Sequence, residues 1–176
     1  MSKSNYEIHP PEARWTHVAL RVKEIQATID WYTSNTPLSL VHFREDETGF
    51  AAWLGHDDNP KSPFVLVVSQ FFPDKDPFAD APNTVLGPFA HFGIEVSSLE
   101  ELKKAEKEIE KIGSLVMPLT EMPPPIGWIF MAKDPDGNTL EFSFDQGVYA
   151  TYQAPSLKNR DPNLDYLKQN LSIETK

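Results

Sequence analysis

The sequence predicts an α+β protein built from two βαβββ modules, and three observations lead there. Two strand-like hexapeptides, HVALRV at 17–22 and HFGIEV at 91–96, open with the same residue. Each is followed by the same order of elements: helix, strand, strand, strand. Matching residues also recur at nearly one spacing, 75 from Trp53 to Trp128, 75 from Ser39 to Ser114 and 74 from His17 to His91. A shared order of elements at a fixed period marks an internal duplication. With 176 residues there is room for two such modules and not for a longer array.

Residues 1–13 are polar and broken by proline, and read as an arm. From Trp15 to Val22 the residues alternate, with Val18, Leu20 and Val22 on one face, as a half-buried strand requires. In KEIQATIDWYTSNTP, Ile25, Ile29 and Tyr32 fall at i, i+4 and i+7, a helical stripe that Pro37 stops. Strands over Leu40–Glu45, Phe50–Leu54 and Phe64–Gln70 complete a first module at 14–70. The next stretch, FFPDKDPFADAPNTVLGP, carries four prolines and can be neither a helix nor a central strand, so 71–88 is a linker. The second module, 89–146, opens with a strand over Phe89–Val96. A helix follows, with Ser98 and Glu101 as a capping box, a stripe of Leu99, Leu102, Ala105, Ile109 and Ile112, and Gly113 as its stop. Strands over Leu115–Leu119, Ile126–Lys133 and Thr139–Phe144 close the module, the last entered through the turn DPDGN. In the tail, 147–176, Leu164, Leu167 and Leu171 have helical spacing over a stretch too short to be stable alone. It is expected to dock on its own body or on a second subunit, and a homodimer is expected.

Composition narrows the function. Lys and Arg number 16 against 26 Asp and Glu, a formal charge of −10, which disfavours nucleic acid and anionic membrane as partners. The absence of cysteine excludes disulfides, thiolate chemistry and Fe–S clusters, so any metal must take nitrogen and oxygen ligands. No apolar run approaches the ~20 residues of a membrane span, and the N-terminus has no signal-like core. A cytoplasmic protein with a small-molecule substrate is the expectation.

Side-chain alternation then separates two faces. With Val18, Leu20 and Val22 turned toward the helices, the opposite face of the first strand carries Trp15, His17, Ala19 and Arg21. The corresponding face of the second module carries Phe89, His91, Gly93 and Glu95, and the last strand adds Thr139, Glu141, Ser143 and Asp145. Two histidines and a carboxylate on paired faces suit a divalent ion such as Fe, Mn, Zn, Ni or Co, with positions left open for substrate. Two plainer readings stand beside it: a wetted sheet face, and histidines that are hydrogen-bonded structurally. Glu95 is a candidate general base, or else a solvated or Arg21-paired carboxylate. Trp15, Phe89, Trp53 and Trp128 are candidate walls for an organic substrate, or else core.

WTHVALRV, DWY at 30–32, GPFAHFGIEV at 87–96 and DPDGNTLEFS at 134–143 carry a family resemblance. Over roughly residues 14 to 146 the chain resembles the vicinal oxygen chelate superfamily: glyoxalase I, type I extradiol dioxygenases, fosfomycin-resistance proteins and bleomycin-binding proteins. The resemblance implies paired βαβββ modules whose sheets curl around one shared metal-binding cleft, with His17, His91 and Glu141 as ligands and Glu141 also catalytic. Glyoxalase I has a further ligand on the last strand of its first module, where an offset of 75 gives Leu66, which cannot ligate, with Gln70 nearby as a substitute. Where dioxygenases carry a tyrosine, this chain has Met131. Fosfomycin-modifying members need a basic cluster, and only Arg21 is placed near the cleft. A lyase or isomerase of glyoxalase type is therefore expected ahead of a ring-cleaving dioxygenase, with a non-catalytic binding protein of bleomycin type as the other alternative.

Overall fold

The computed structural model describes residues 15–57, 64–84, 86, 89–123 and 126–146. The expected N-terminal arm and the tail helix around Leu164, Leu167 and Leu171 lie outside them. The first module runs β1 (His17–Arg21), α1 (Ile25–Asn35), β2 (Ser39–Asp46), β3 (Gly49–Gly55), β4 (Val65–Phe71). The second runs β5 (Phe92–Glu95), α2 (Leu99–Lys111), β6 (Leu115–Met122), β7 (Gly127–Lys133), β8 (Thr139–Phe144). Each module is a four-stranded mixed sheet, in the orders β1-β4-β3-β2 and β5-β8-β7-β6. The first strand pairs in parallel with the last, and the other pairs are antiparallel.

The periodic residues account for the elements. On α1, Ile25, Ile29 and Tyr32 are buried together with Thr28. On α2 the Ser98 side chain accepts the Glu101 amide at 3.2 Å, satisfying one orphan donor of the helix start, and the Glu101 carboxylate reaches back to accept the amide of Ser97, the residue before the cap, at 3.1 Å. Leu20, Ile29, Leu54 and Val68 of the first module share one core with Leu102, Ile109, Phe130 and Phe142 of the second. Burying each such side chain contributes on the order of 1.5–3 kcal/mol. Two strands differ from expectation. β5 begins only at Phe92, because Phe89 stands out in solvent. β6 continues through Pro118 to Met122, which an edge strand permits: the pairing slips between Met117 and Thr120, so the missing amide costs no ladder bond.

A buried polar lock joins the modules. The phenol of Tyr32 on α1 donates to Asp134 Oδ2 at 3.0 Å. Asp134 also accepts the amides of Asp136 (3.0 Å) and Asn138 (2.8 Å) on Oδ1 and the Asn138 side-chain amide (3.0 Å) on Oδ2. Asp136 accepts the Lys23 amide at 3.2 Å and the Asn83 side chain at 3.4 Å, and its carbonyl accepts the Thr84 hydroxyl. The DPDGN turn thus holds the first module and the linker as well as feeding β8.

The registers revise the repeat. Val18 lies beside Leu66 and Phe92 beside Leu140, so β1 and β4 map onto β5 and β8 at a spacing of 74, Leu140 minus Leu66. Phe50 lies beside Gln70 and Trp128 beside Phe144, so β3 maps onto β7 at 78, Trp128 minus Phe50. Slippage in β6 and a longer β6–β7 turn add residues, and a shorter β7–β8 connection removes them. Trp53 and Trp128 are therefore not counterparts: Trp128 corresponds to Phe50, and Trp53 to Met131. Gly49 and Gly127 are counterparts, at positive φ of 148° and 74°. A Cβ on Gly127 would sit 2.4 Å from the Phe144 carbonyl oxygen, and on Gly49 2.1 Å from that of Gln70. In both modules glycine lets the third strand close against the end of the fourth.

Candidate metal centre

Alternation and register bring His91 and Glu141 together. Glu141 on β8 lies beside Gly93 on β5, and His91, two residues before Gly93, projects on the same face. His91 Nε2 is 3.7 Å from Glu141 Oε2. The other ring nitrogen, Nδ1, is 2.8 Å from the Phe89 carbonyl, which holds its proton and leaves the Nε2 lone pair directed at the carboxylate side. Glu141 is buried, and its Oε1 accepts the Gln146 side-chain amide at 2.9 Å. A buried carboxylate with one oxygen bonded, and an imidazole oriented through its far nitrogen, form a donor pair that fits a divalent ion.

His17 does not join them in the chain. It stands exposed at the start of β1, its Nδ1 3.0 Å from the Thr16 hydroxyl. Among the described residues no group of three or more His, Asp or Glu side chains is placed to hold a metal. The cause is how the modules meet. They are joined by α1 against α2 and by the DPDGN turn, whereas β1 and β5 are not neighbours and each is an edge strand of its sheet among the described residues. Of the three residues expected to share an ion, the structure places His91 beside Glu141 and leaves His17 apart from them.

The remaining residues divide. Glu95 shares the His91 face; its Oε1 accepts the Gln146 backbone amide at 2.9 Å, while its buried Oε2 has no hydrogen-bond partner among the described residues. It is not paired with Arg21. That guanidinium instead bonds Asp76 at 2.9 Å and the carbonyls of Phe78 and Ala81, pinning the linker across the end of β1. Gln70 lies on the core side of β4 and caps α1, accepting the Ile25 amide at 2.8 Å, so it belongs to the helix start rather than to the cleft. Trp128 likewise packs on the core. Trp53 lies on the cleft side of β3, half-exposed, its ring 5.2 Å from that of His42. Trp15 and Phe89 are 85% and 87% exposed, standing at matching places before β1 and β5. The register puts Val67, not Leu66, opposite the Glu141 position; it is equally unable to ligate.

Sequence reasoning missed Gln146, which lies beyond the last strand and carries no periodic signal. It also missed an apolar cavity of about 720 Å³ between the modules, walled by Val18, Leu54, Leu66, Phe92 and Ile94 and bordered by His91. That volume lies within the range of small-ligand pockets.

Mixed-sheet βαβββ modules with a histidine–carboxylate pair on the inner face define a class, and comparison with known proteins gives its name. The family model of the Glyoxalase/Bleomycin resistance protein/Dioxygenase superfamily matches residues 14–142. The chain belongs to that superfamily. An uncharacterized protein of Pseudomonas aeruginosa, PA2024, is 27% identical over 131 residues, 74% of this chain and 88% of that protein. Among solved structures, a glyoxylase/bleomycin resistance protein/dioxygenase domain from Frankia sp. EAN1pec aligns with a TM-score of 0.55 and 21% identity, over 76% of this chain and 98% of that one. Glyoxalase I from Zea mays aligns at 0.56 and 22% identity over 73% of this chain, which spans 43% of that protein. The fosfomycin resistance protein FosX of Listeria monocytogenes aligns at 0.57 and 12% identity over 75% of this chain and 93% of that one. These structural likenesses establish the fold. Among the described residues no helix is long and apolar enough to cross a membrane.

Proposed function

We propose that the protein is a divalent-metal enzyme of this superfamily, a lyase or isomerase of glyoxalase type acting on a small organic substrate with two neighbouring oxygens. The observation that carries this reading is the His91–Glu141 pair, with Nε2 oriented by the Phe89 carbonyl. A second copy supplies His17. Support for that lies in the edge positions of β1 and β5 among the described residues, each strand preceded by an exposed aromatic, Trp15 or Phe89, since a strand edge is a surface for pairing with another chain. When bound, an Fe, Mn, Zn, Ni or Co ion would act as Lewis acid toward the substrate oxygens and stabilise an oxyanion. The protein's own groups do the rest. Glu95, with a free buried carboxylate oxygen on the same face, carries the proton. Trp53 on the cleft face of β3, with Trp15 and Phe89 before β1 and β5, walls the substrate's carbon body, while the apolar cavity that His91 borders lies on the core side of the sheets. With Arg21 committed to the linker, the cation placed at the cleft by sequence is spent, which favours an uncharged substrate over a phosphonate. Met131 in place of tyrosine disfavours ring cleavage.

Metal content of the full chain purified without chelator tests the reading. A stoichiometric divalent ion is expected, lost in His91→Ala and in His17→Ala. Unchanged metal in His91→Ala removes this site, and a metal-free wild-type protein leaves the bleomycin-type binding reading in its place. Co-refolding the two variants separates the arrangements. If the site is composite, a mixed dimer keeps one intact site, with His17 from one copy and His91 from the other, and part of the metal returns. If one chain makes the whole site, none returns.

A further inference from the structure

We propose that Gln146 is a positioning residue that selects which oxygen of Glu141 faces the metal; this rests on the metal reading above. In an extended strand, residue 146 would lie ~16 Å beyond Glu141, five residues at ~3.3 Å each. Instead its side-chain amide is 2.9 Å from Glu141 Oε1. The chain reverses at Asp145, whose φ of 60° is the one positive value at a non-glycine among the described residues. Aspartate is among the few residues that tolerate this conformation. The reversal is boxed from the other side, where Gly127 lies so close to the Phe144 and Asp145 carbonyls that a Cβ would meet them at 2.4 and 2.6 Å.

Gln146 is itself held at more than one point. Its backbone amide donates to Glu95 Oε1 at 2.9 Å, and its side-chain oxygen lies 3.5 Å from the Ser143 hydroxyl. One residue therefore bridges the ligand carboxylate of Glu141 and the carboxylate of Glu95. With Oε1 taken by the amide, Oε2 remains, and that is the oxygen 3.7 Å from His91 Nε2. A carboxylate so held presents one oxygen to an ion. The donor type matters as well. An amide binds the carboxylate without neutralising it, whereas an ammonium at the same place would compete with the ion for its charge.

Binding of Co(II) to the apo full chain tests this by affinity and by the visible absorption of the bound ion, neither of which depends on activity. Gln146→Met keeps the bulk and the backbone bond to Glu95 and removes only the amide donor. It should weaken Co(II) binding roughly 10–100-fold, the usual cost of losing a hydrogen bond to a ligand. It should also lower the absorption, as a second carboxylate oxygen raises the coordination number. Asp145→Val, which cannot hold the positive φ, should reproduce both changes, while Asp145→Gly, which can, should behave as wild type. Wild-type affinity and spectrum in a folded Gln146→Met protein overturn the inference and leave the metal reading standing. No Co(II) uptake by the wild-type protein overturns both.

Discussion

Replacing Tyr32 by Phe removes one oxygen atom from the centre of the molecule and keeps the ring that packs there. The phenol is 1% exposed and donates to Asp134 Oδ2 at 3.0 Å, across 102 residues of sequence. A hydrogen bond to a charged group contributes about 1.5–3 kcal/mol, and a buried carboxylate stripped of every donor would cost more. Asp134 keeps three other donors, the amides of Asp136 and Asn138 and the Asn138 side chain, so the loss should stay near 2 kcal/mol. The effect is pH-dependent. Burial, and then the adjacent Asp134 carboxylate, push the phenol far above its ordinary value of 10.0. A folded pKa above the unfolded one means that the stabilisation is complete below pH 10 and declines as pH rises beyond it, because only the unfolded chain releases the proton. The decline approaches about 1.4 kcal/mol per pH unit for one group once the unfolded chain is fully ionised, well above pH 10. Urea unfolding followed by tryptophan fluorescence should show Tyr32→Phe less stable by ~2 kcal/mol at pH 7 with an unchanged slope. The gap should narrow by about 1 kcal/mol between pH 10 and pH 11. A variant within about 0.5 kcal/mol of wild type at pH 7, a surface-like effect, would show that the lock does not hold the modules together, and a constant gap would show that the phenol ionises in the folded state.

Gly127→Ala should be far more damaging than an ordinary loop substitution. Its Cβ meets two backbone oxygens and its φ of 74° resists a side chain, so a loss above ~2 kcal/mol in the same urea assay is expected; wild-type stability would mean that the β7–β8 junction relaxes freely. Ser98→Ala removes the acceptor of the Glu101 amide at the start of α2 and should cost ~1 kcal/mol without altering metal content. A change in metal content there would tie the helix to the site in a way its geometry does not. The metal content of His91→Ala and the Co(II) affinity of Gln146→Met, described above, complete the set.

Much of the fold could be read from period alone. Alternation over β1 and β8 separated the core faces from the polar faces, because a side chain's direction in a strand depends only on its position along it. The same rule put His91, Glu95 and Glu141 on one side of one sheet. It misplaced Trp128, because a single repeat spacing hides compensating insertions: β7 is displaced by 78 residues from its twin while β5 and β8 are displaced by 74. It also misassigned Arg21 and Gln70. Alternation says where a side chain starts, and both of these long side chains are claimed by partners that arrive from elsewhere, the linker and the first turn of α1.

By itself the sequence determined the two βαβββ modules, their core stripes, the cap of α2 and the ligand-type residues on the polar faces, since each depends on local geometry at short range. Only the tertiary structure decided which of those residues meet. The pairing of β5 with β8 brings His91 to Glu141, joining through the helices and the DPDGN turn rather than through β1 and β5 leaves His17 apart on an edge strand, and the bend at Asp145 folds Gln146 back over the pair. Those outcomes depend on hydrogen bonds between residues dozens of positions apart, and on a single reversal at Asp145, which no periodicity records.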